Sequence, residues 1–341
     1  MRAAVYRGVN NIRIEQLPVP RIGARELLVK VAVCGVCPTD IKKIHYGTVP
    51  PPRVFGHETA GTIVQTGRSV TGFRAGERVA LHHHIPCLKC HYCRHHAFAQ
   101  CETYKRTGIT AGFEPAGGGY AEYVRVMSFV LPGVVKIPGK NTFEEAAMLE
   151  PVNTVLKAVN RLNLLPGDTV LVAGQGPIGL MFTRLLALRG MRVLATDLFP
   201  TRLALAKKFG AHRVCLANRM SEAVGQFDAA VLAVPSDEAL QQALQFLRGA
   251  GQVLLFAHTK RGAKTELDLA SVCVDEKDLI GSYSADVTIQ KEVARLVFSR
   301  QLDVRKLISH RFPLEQTADA VALAAKPTVD SLKVMVTVDF L

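Results

Sequence analysis

Residues 169–179 read Thr169-Val170-Leu171-Val172-Ala173-Gly174-Gln175-Gly176-Pro177-Ile178-Gly179, and a helical run from Leu180 to Leu188 follows. A lone G-x-G-x-x-G is weak evidence, but here strand, loop and helix stand in the order that a dinucleotide-binding unit requires. The first glycine permits the tight turn, the second lets the backbone approach a pyrophosphate, and the third allows close helix–strand packing. The helix N-terminus then faces the phosphates, with Pro177 and Ile178 in the loop that leads into it. Asp197 ends the next strand, 18 residues past Gly179. Its carboxylate can accept hydrogen bonds from ribose hydroxyls and repels a 2′-phosphate, which favours NAD over NADP. Arg202 offers a cation nearby and softens that preference.

Outward from this unit the same texture continues. From 152 to 285 short apolar strands alternate with helical stretches, among them 193–195, 214–216, 229–233, 253–256 and 279–280. That is the pattern of βαβ units and a parallel sheet. Residues 1–151 instead hold short β-rich runs such as Leu27 to Val33, broken often by Gly and Pro. They predict a β-rich domain with irregular loops. The remainder, 286–341, predicts helices around Gln290 to Phe298 and Thr317 to Ala325 and a closing strand from Lys333 to Val338. It is too short to stand alone and is expected to fold back onto the first domain.

The 341 residues are 48% apolar and 21% charged, an ordinary globular composition that excludes disorder and fibrous repeats. No stretch approaches the ~18 uninterrupted apolar residues of a membrane span, and the opening residues carry no signal-peptide pattern. A cytoplasmic protein without a membrane partner is expected. The net charge is +13, but the basic residues are dispersed pairs such as Lys42-Lys43 without aromatic interleaving, so no nucleic-acid partner is predicted.

Six of the eight cysteines lie in the first domain, and four of them, Cys87, Cys90, Cys93 and Cys101, form C-x2-C-x2-C-x7-C. Four thiolates on a short loop can close a tetrahedral shell around Zn²⁺ with no open position, so a structural zinc lobe is expected at about 82–105. The neighbouring His82, His83, His84, His91, His95 and His96 read as solvated or locally bonded side chains, because no carboxylate or further thiol accompanies them at ligand spacing.

A wider frame surrounds these residues: Gly56-His57-Glu58-Thr59-Ala60-Gly61 with Gly67 and Val70, that is G-H-E-x2-G-x5-G-x2-V, together with Gly35-Val36-Cys37-Pro38-Thr39-Asp40, Gly76-Glu77-Arg78-Val79, Gly118-Gly119-Tyr120-Ala121-Glu122-Tyr123 and Glu150-Pro151. Over essentially its full length the chain resembles the zinc-containing medium-chain alcohol dehydrogenases, on the side of the sorbitol, polyol and threonine dehydrogenases. The resemblance implies an α/β plus β chain, in which a GroES-like β-rich catalytic domain (1–151 and 286–341) accompanies a Rossmann doubly wound parallel-sheet domain (152–285). It implies that the active site lies in the cleft between them.

Cys37 and His57 then carry over as catalytic-zinc ligands. The remaining ligand is Glu58, Glu150, or both in exchange, since carboxylate, imidazole and thiolate all suit zinc. An ion with an open position binds an alcohol and lowers its pKa, and hydride passes to the nicotinamide. Thr39 resembles the hydroxyl that takes the alcohol proton, and Asp40 resembles the acid that fixes the tautomer of His57. Where many relatives carry a His three residues after the Thr, this chain has Lys42; His45, or else water, is the candidate substitute. Thr154 resembles the threonine against the nicotinamide ring. About two zincs per chain, NAD, a small alcohol or carbonyl substrate and a homodimer or homotetramer paired through residues 278–284 complete the expectation. A threonine 3-dehydrogenase-like enzyme is the alternative in chemistry, and a basic zinc-ribbon protein binding nucleic acid is the alternative of another class. Tyr46, Phe113 and Tyr283 are candidates for pocket wall or core.

Overall fold

The computed structural model describes residues 1–107, 118–220, 225–258, 260 and 262–338. Internal contacts divide the chain into Met1–Asn153 with Ala285–Leu341, and Thr154–Ser284.

The first unit is built on a seven-stranded sheet. Its path runs Ile308–Pro313, Lys333–Thr337, Leu27–Gly35, Glu58–Thr66, Arg78–Leu81 and Val134–Lys136, with Tyr123–Val126 also paired to Leu27–Gly35. The C-terminal segment therefore supplies two strands to the sheet of the N-terminal residues, as its length requires. Lys333–Thr337 runs antiparallel to Leu27–Gly35 with Met335 opposite Gly35, while Glu58 stands opposite Gly35 from the other side. This register brings three distant parts of the sequence to one point. Leu27, Val29, Val31, Ile63, Val79, Tyr120, Val126 and Val336 are buried in the core beneath it, joined by Tyr6 and Phe55, whose rings sit 5.3 Å apart. Arg2–Gly8, Asn11–Gln16 and Arg53–Val54 form a small second sheet.

The second unit is a six-stranded parallel sheet in the order Arg213–Leu216, Arg192–Asp197, Thr169–Ala173, Phe227–Leu232, Leu247–Leu255, Asp278–Gly281. The order reverses beside Thr169–Ala173, and in such sheets the crevice at the carboxyl ends of the strands is where ligands bind. The helix after the glycine turn begins at Pro177, three residues before the expected Leu180. Proline at the first helical position costs nothing, because its missing N–H would have no partner in the helix. The edge strand Asp278–Gly281 is largely exposed. Among the described residues no helix is long and apolar enough to cross a membrane.

Candidate functional site

Cys37 follows the strand Leu27–Gly35 and caps the helix Pro38–Tyr46, where the Thr39 N–H donates to its Sγ at 3.5 Å. His57 follows Gly56, whose φ of +99° and lack of a side chain are both needed, since a Cβ there would come 2.7 Å from Cys34 Sγ and 2.9 Å from the Tyr120 ring. Asp40, fully buried in the first turn of the same helix, holds His57 Nδ1 at 3.1 Å from its Oδ1. That fixes the ring and leaves Nε2 for a metal. The ligand atoms of Cys37, His57 and Glu58 lie within 4.8 Å of one another. Burial disfavours the His57 imidazolium, but Asp40 and Cys37 outweigh it and hold its pKa well above the ordinary value. A half-buried cysteine sulfur with a buried imidazole and a buried carboxylate forms a donor set that suits Zn²⁺.

Glu58 has a partner that sequence reasoning missed. Lys333 pairs with its carboxylate, and the ammonium also donates to the Val36 carbonyl at 2.9 Å. The pair passes over Gly35, where a Cβ would collide with Glu58 Oε2 and come 2.9 Å from Lys333 Cε. Burial works against the Lys333 charge, yet Glu58 and Cys37 raise its pKa.

Glu150 lies in the first turn of the helix Leu149–Val159 but is grouped with His83 and His84, their ligand atoms mutually within 4.8 Å. Burial pushes its pKa up to about 7. The expectation of solvated or locally bonded histidines is corrected at His82, His83 and His84, which are 1%, 2% and 7% exposed, with a Glu150 oxygen 3.5 Å from His84 Nδ1. The partner carboxylate comes from a distant helix, so no spacing in the sequence could announce it. Burial lowers His82 to about 4, and burial together with the neighbouring His84, His57 and His82 holds His83 well below the ordinary imidazole value.

His45 points its bonding elsewhere: its Nδ1 is paired with Asn10 Oδ1. It lies six residues past Thr39, about 240° round the helix, whereas Lys42 at three residues shares the Thr39 face. Lys42 is half-buried and burial lowers its pKa. Cys34, outside the ligand group, is fully buried and burial pushes its thiol up to about 12. Tyr46 and Tyr283 are exposed, so neither is core. Phe113 lies outside the described residues.

The four cysteines of the second motif converge. Cys90 and Cys93 sulfurs are 3.5 Å apart, Cys87 and Cys93 sulfurs 3.9 Å, and the Cys87 N–H donates to Cys101 Sγ at 3.3 Å. A tetrahedron with zinc–sulfur bonds of ~2.3 Å has an edge of roughly 3.8 Å, so these separations fit the ion. The backbone N–H groups of Lys89 and Cys90 lower Cys87 to about 6, whereas burial raises Cys93 to about 12.

In the other unit Gly174 has φ +89°, and a Cβ there would strike Val234. A Cβ on Gly179 would collide with the Gly174 carbonyl, whereas one on Gly176 would meet only open space, which a pyrophosphate can fill. The first-turn N–H groups of Ile178 and Gly179, after Pro177, have no acceptor within the helix Pro177–Leu188. Asp197 is placed by the loop itself: its Oδ2 accepts from Gln175 N–H at 2.6 Å and its Oδ1 from Phe199 N–H at 2.9 Å. Arg202 lies 3.9 Å from Asp197 and over the Phe199 ring. Thr154 is half-buried on the helix Leu149–Val159.

Residues 23–139 match the model of the alcohol dehydrogenase GroES-like domain, and 177–299 that of the zinc-binding dehydrogenases. A sorbitol dehydrogenase of Bombyx mori is 32% identical over 94% of both chains. One from Bacillus subtilis is 31% identical over 98% of this chain and 97% of its own. The alcohol dehydrogenase TADH of Thermus sp. ATN1 superposes with a TM-score of 0.86 at 28% identity, covering 99% of this chain and 100% of the other.

Proposed function

The chain belongs to the zinc-containing medium-chain alcohol dehydrogenase family, and from that premise we propose that it interconverts a secondary alcohol or polyol and its carbonyl compound, with NAD as hydride carrier and zinc at Cys37, His57 and Glu58. The observation that carries this reading is the convergence of those three ligands, with Asp40 behind the imidazole. When bound, the ion supplies a Lewis acid that lowers the pKa of an alcohol, and the nicotinamide accepts the hydride.

The chain's own residues do the rest. Asp40 accepts from His57 Nδ1 and fixes the ring, so that Nε2 is the nitrogen that gives up its proton and offers a lone pair when the cation binds. Lys333 balances the Glu58 carboxylate while no cation is present, which keeps the ligand group assembled. Thr39, whose N–H holds the Cys37 sulfur, carries the hydroxyl that would take the alcohol proton while giving up its own, with water carrying that proton outward in place of His45, which is paired with Asn10. Gly174, Gly176 and Gly179 seat the pyrophosphate against Ile178, Asp197 binds the adenosine ribose, and Thr154 lies against the nicotinamide. Cys87, Cys90, Cys93 and Cys101 hold the structural zinc.

Two relatives are sorbitol dehydrogenases, which favours a polyol. All eight cysteines are free, which suits a reducing compartment such as the cytoplasm. The exposed edge strand Asp278–Gly281 offers the pairing surface for a homodimer or homotetramer. The test is a panel of polyols, 2-alkanols, sugars and threonine assayed by NADH formation with the zinc-loaded protein. Turnover of polyols or 2-alkanols is expected; turnover of threonine alone would transfer the reading to an amino-alcohol dehydrogenase.

A further inference from the structure

We propose that His83, His84 and Glu150 form a site for a second divalent cation, beside the one held by Cys37, His57 and Glu58. Their three ligand atoms lie within 4.8 Å of one another, and all three side chains are more than nine-tenths buried. The His83 and His84 ring centroids are 3.8 Å apart, and a Glu150 oxygen is 3.5 Å from His84 Nδ1. Two imidazoles and one carboxylate form a donor set that binds zinc and leaves a fourth position open.

The second observation is independent of that grouping. His83 Nδ1 and both ring nitrogens of His82 are buried with no hydrogen-bond partner among the described residues. Natural interiors satisfy nearly all such groups, and a cluster of orphaned imidazole nitrogens calls for a ligand. Imidazole is the commonest metal donor in proteins, so a cation meets that demand directly.

Glu150 is divided between two readings, and the geometry separates them. It is grouped with the histidines, while Cys37 and His57 are completed by Glu58. The two groups adjoin through the His57 and His83 rings, 5.2 Å between centroids. Charge supports two ions. In their ionised forms Cys37, Asp40, Glu58 and Glu150 carry four negative charges and Lys333 one positive. One dication leaves this buried region net negative; a second makes it net positive, and an ionised substrate oxygen then brings it to neutrality.

The inference rests on the zinc dehydrogenase reading only in assigning Cys37 and the four-cysteine lobe their own ions. Stripped protein is titrated with Zn²⁺ in reducing buffer, freed of excess, and its bound metal counted by mass spectrometry. About three ions per chain are expected, against the two that the motifs alone account for. A His83→Asn/His84→Asn variant should lose one equivalent, and Cys37→Ser should lose a different one. With Co²⁺ the histidine site should add ligand-field absorption without a thiolate-to-cobalt charge-transfer band. Two ions in the unsubstituted protein would overturn the proposal even if the double variant fails to fold. Loss of two equivalents from Cys37→Ser would also overturn it, by making the groups one centre. Fewer than two ions in the unsubstituted protein would strike down the second site and the zinc dehydrogenase reading together.

Discussion

Substituting Lys333 by Met separates the cost of a buried ion pair from the cost of losing a metal site. The Lys333 and Glu58 side chains are 7% and 2% exposed. Met keeps the unbranched stem, so packing changes little, but Glu58 is left as a buried charge without its counter-ion. Removing one partner of such a pair costs about 3–5 kcal/mol. At about 2–4 °C per kcal/mol for a domain of this size, the metal-free protein should melt about 6–20 °C lower. Zinc reverses part of this loss, because a cation on Glu58 supplies the missing positive charge. If about 2 kcal/mol is recovered, zinc binds the variant about 30-fold more tightly than the unsubstituted protein. The assay is a pair of thermal melts, metal-free and zinc-saturated, with zinc affinity measured against a competing chelator. In a Cys37→Ser background, which cannot hold the ion, the full melting loss should persist in zinc. Equal melting losses with and without zinc, or weaker zinc binding by Lys333→Met, would refute Glu58 as a ligand.

Three further outcomes follow from the same geometry. Cys37→Ser should abolish turnover while leaving NADH affinity, measured by fluorescence titration, within about threefold of the unsubstituted protein; equal loss of both would mean that Cys37 holds the fold. Asp197→Ser removes the carboxylate that repels a 2′-phosphate and leaves Arg202 in place, so the NAD-to-NADP ratio of kcat/KM should fall by at least about tenfold, and an unchanged ratio would contradict the assigned ribose contact. Glu26 accepts from Arg125 Nε and Nη2, both at 2.7 Å, and from Gly23 N–H at 2.6 Å, and Arg125 first and the Gly23 N–H after it hold its carboxyl below the usual range against the effect of burial. Glu26→Gln should therefore cost about 1.5–3 kcal/mol near neutrality. Because the folded pKa is depressed, that stability is complete above the unfolded value of about 4.3 and is lost as pH falls through the folded one. Denaturant melts should show the gap closing on acidification, and a gap that widens would reverse the sign.

What could be read from the residues, and what could not, divides by the range of the interaction. The glycine turn and the four-cysteine lobe are local: Gly174 to Gly179 spans one turn, and Cys87 to Cys101 one loop, so spacing alone carries the chemistry. Asp197 is the next strand's end, brought home by one βαβ crossover whose handedness and length vary little. The surroundings of Glu58 are of another kind. They depend on the register of three strands, with Gly35 opposite Glu58 on one side and Met335 on the other, and a slip of one residue would turn Lys333 to the opposite face. Nothing in the run Ser331 to Val334 marks its lysine as a counter-ion. Gly35 was visible in the motif before Cys37, but the reason for it was not: the Glu58–Lys333 pair occupies the space a side chain would need. The same holds for His82 to His84, which read as surface residues until the helix carrying Glu150 is placed beside them. Ligand identity was thus legible wherever the ligands share a loop, whereas the charges that tune those ligands come from strands and helices whose meeting only the folded chain displays.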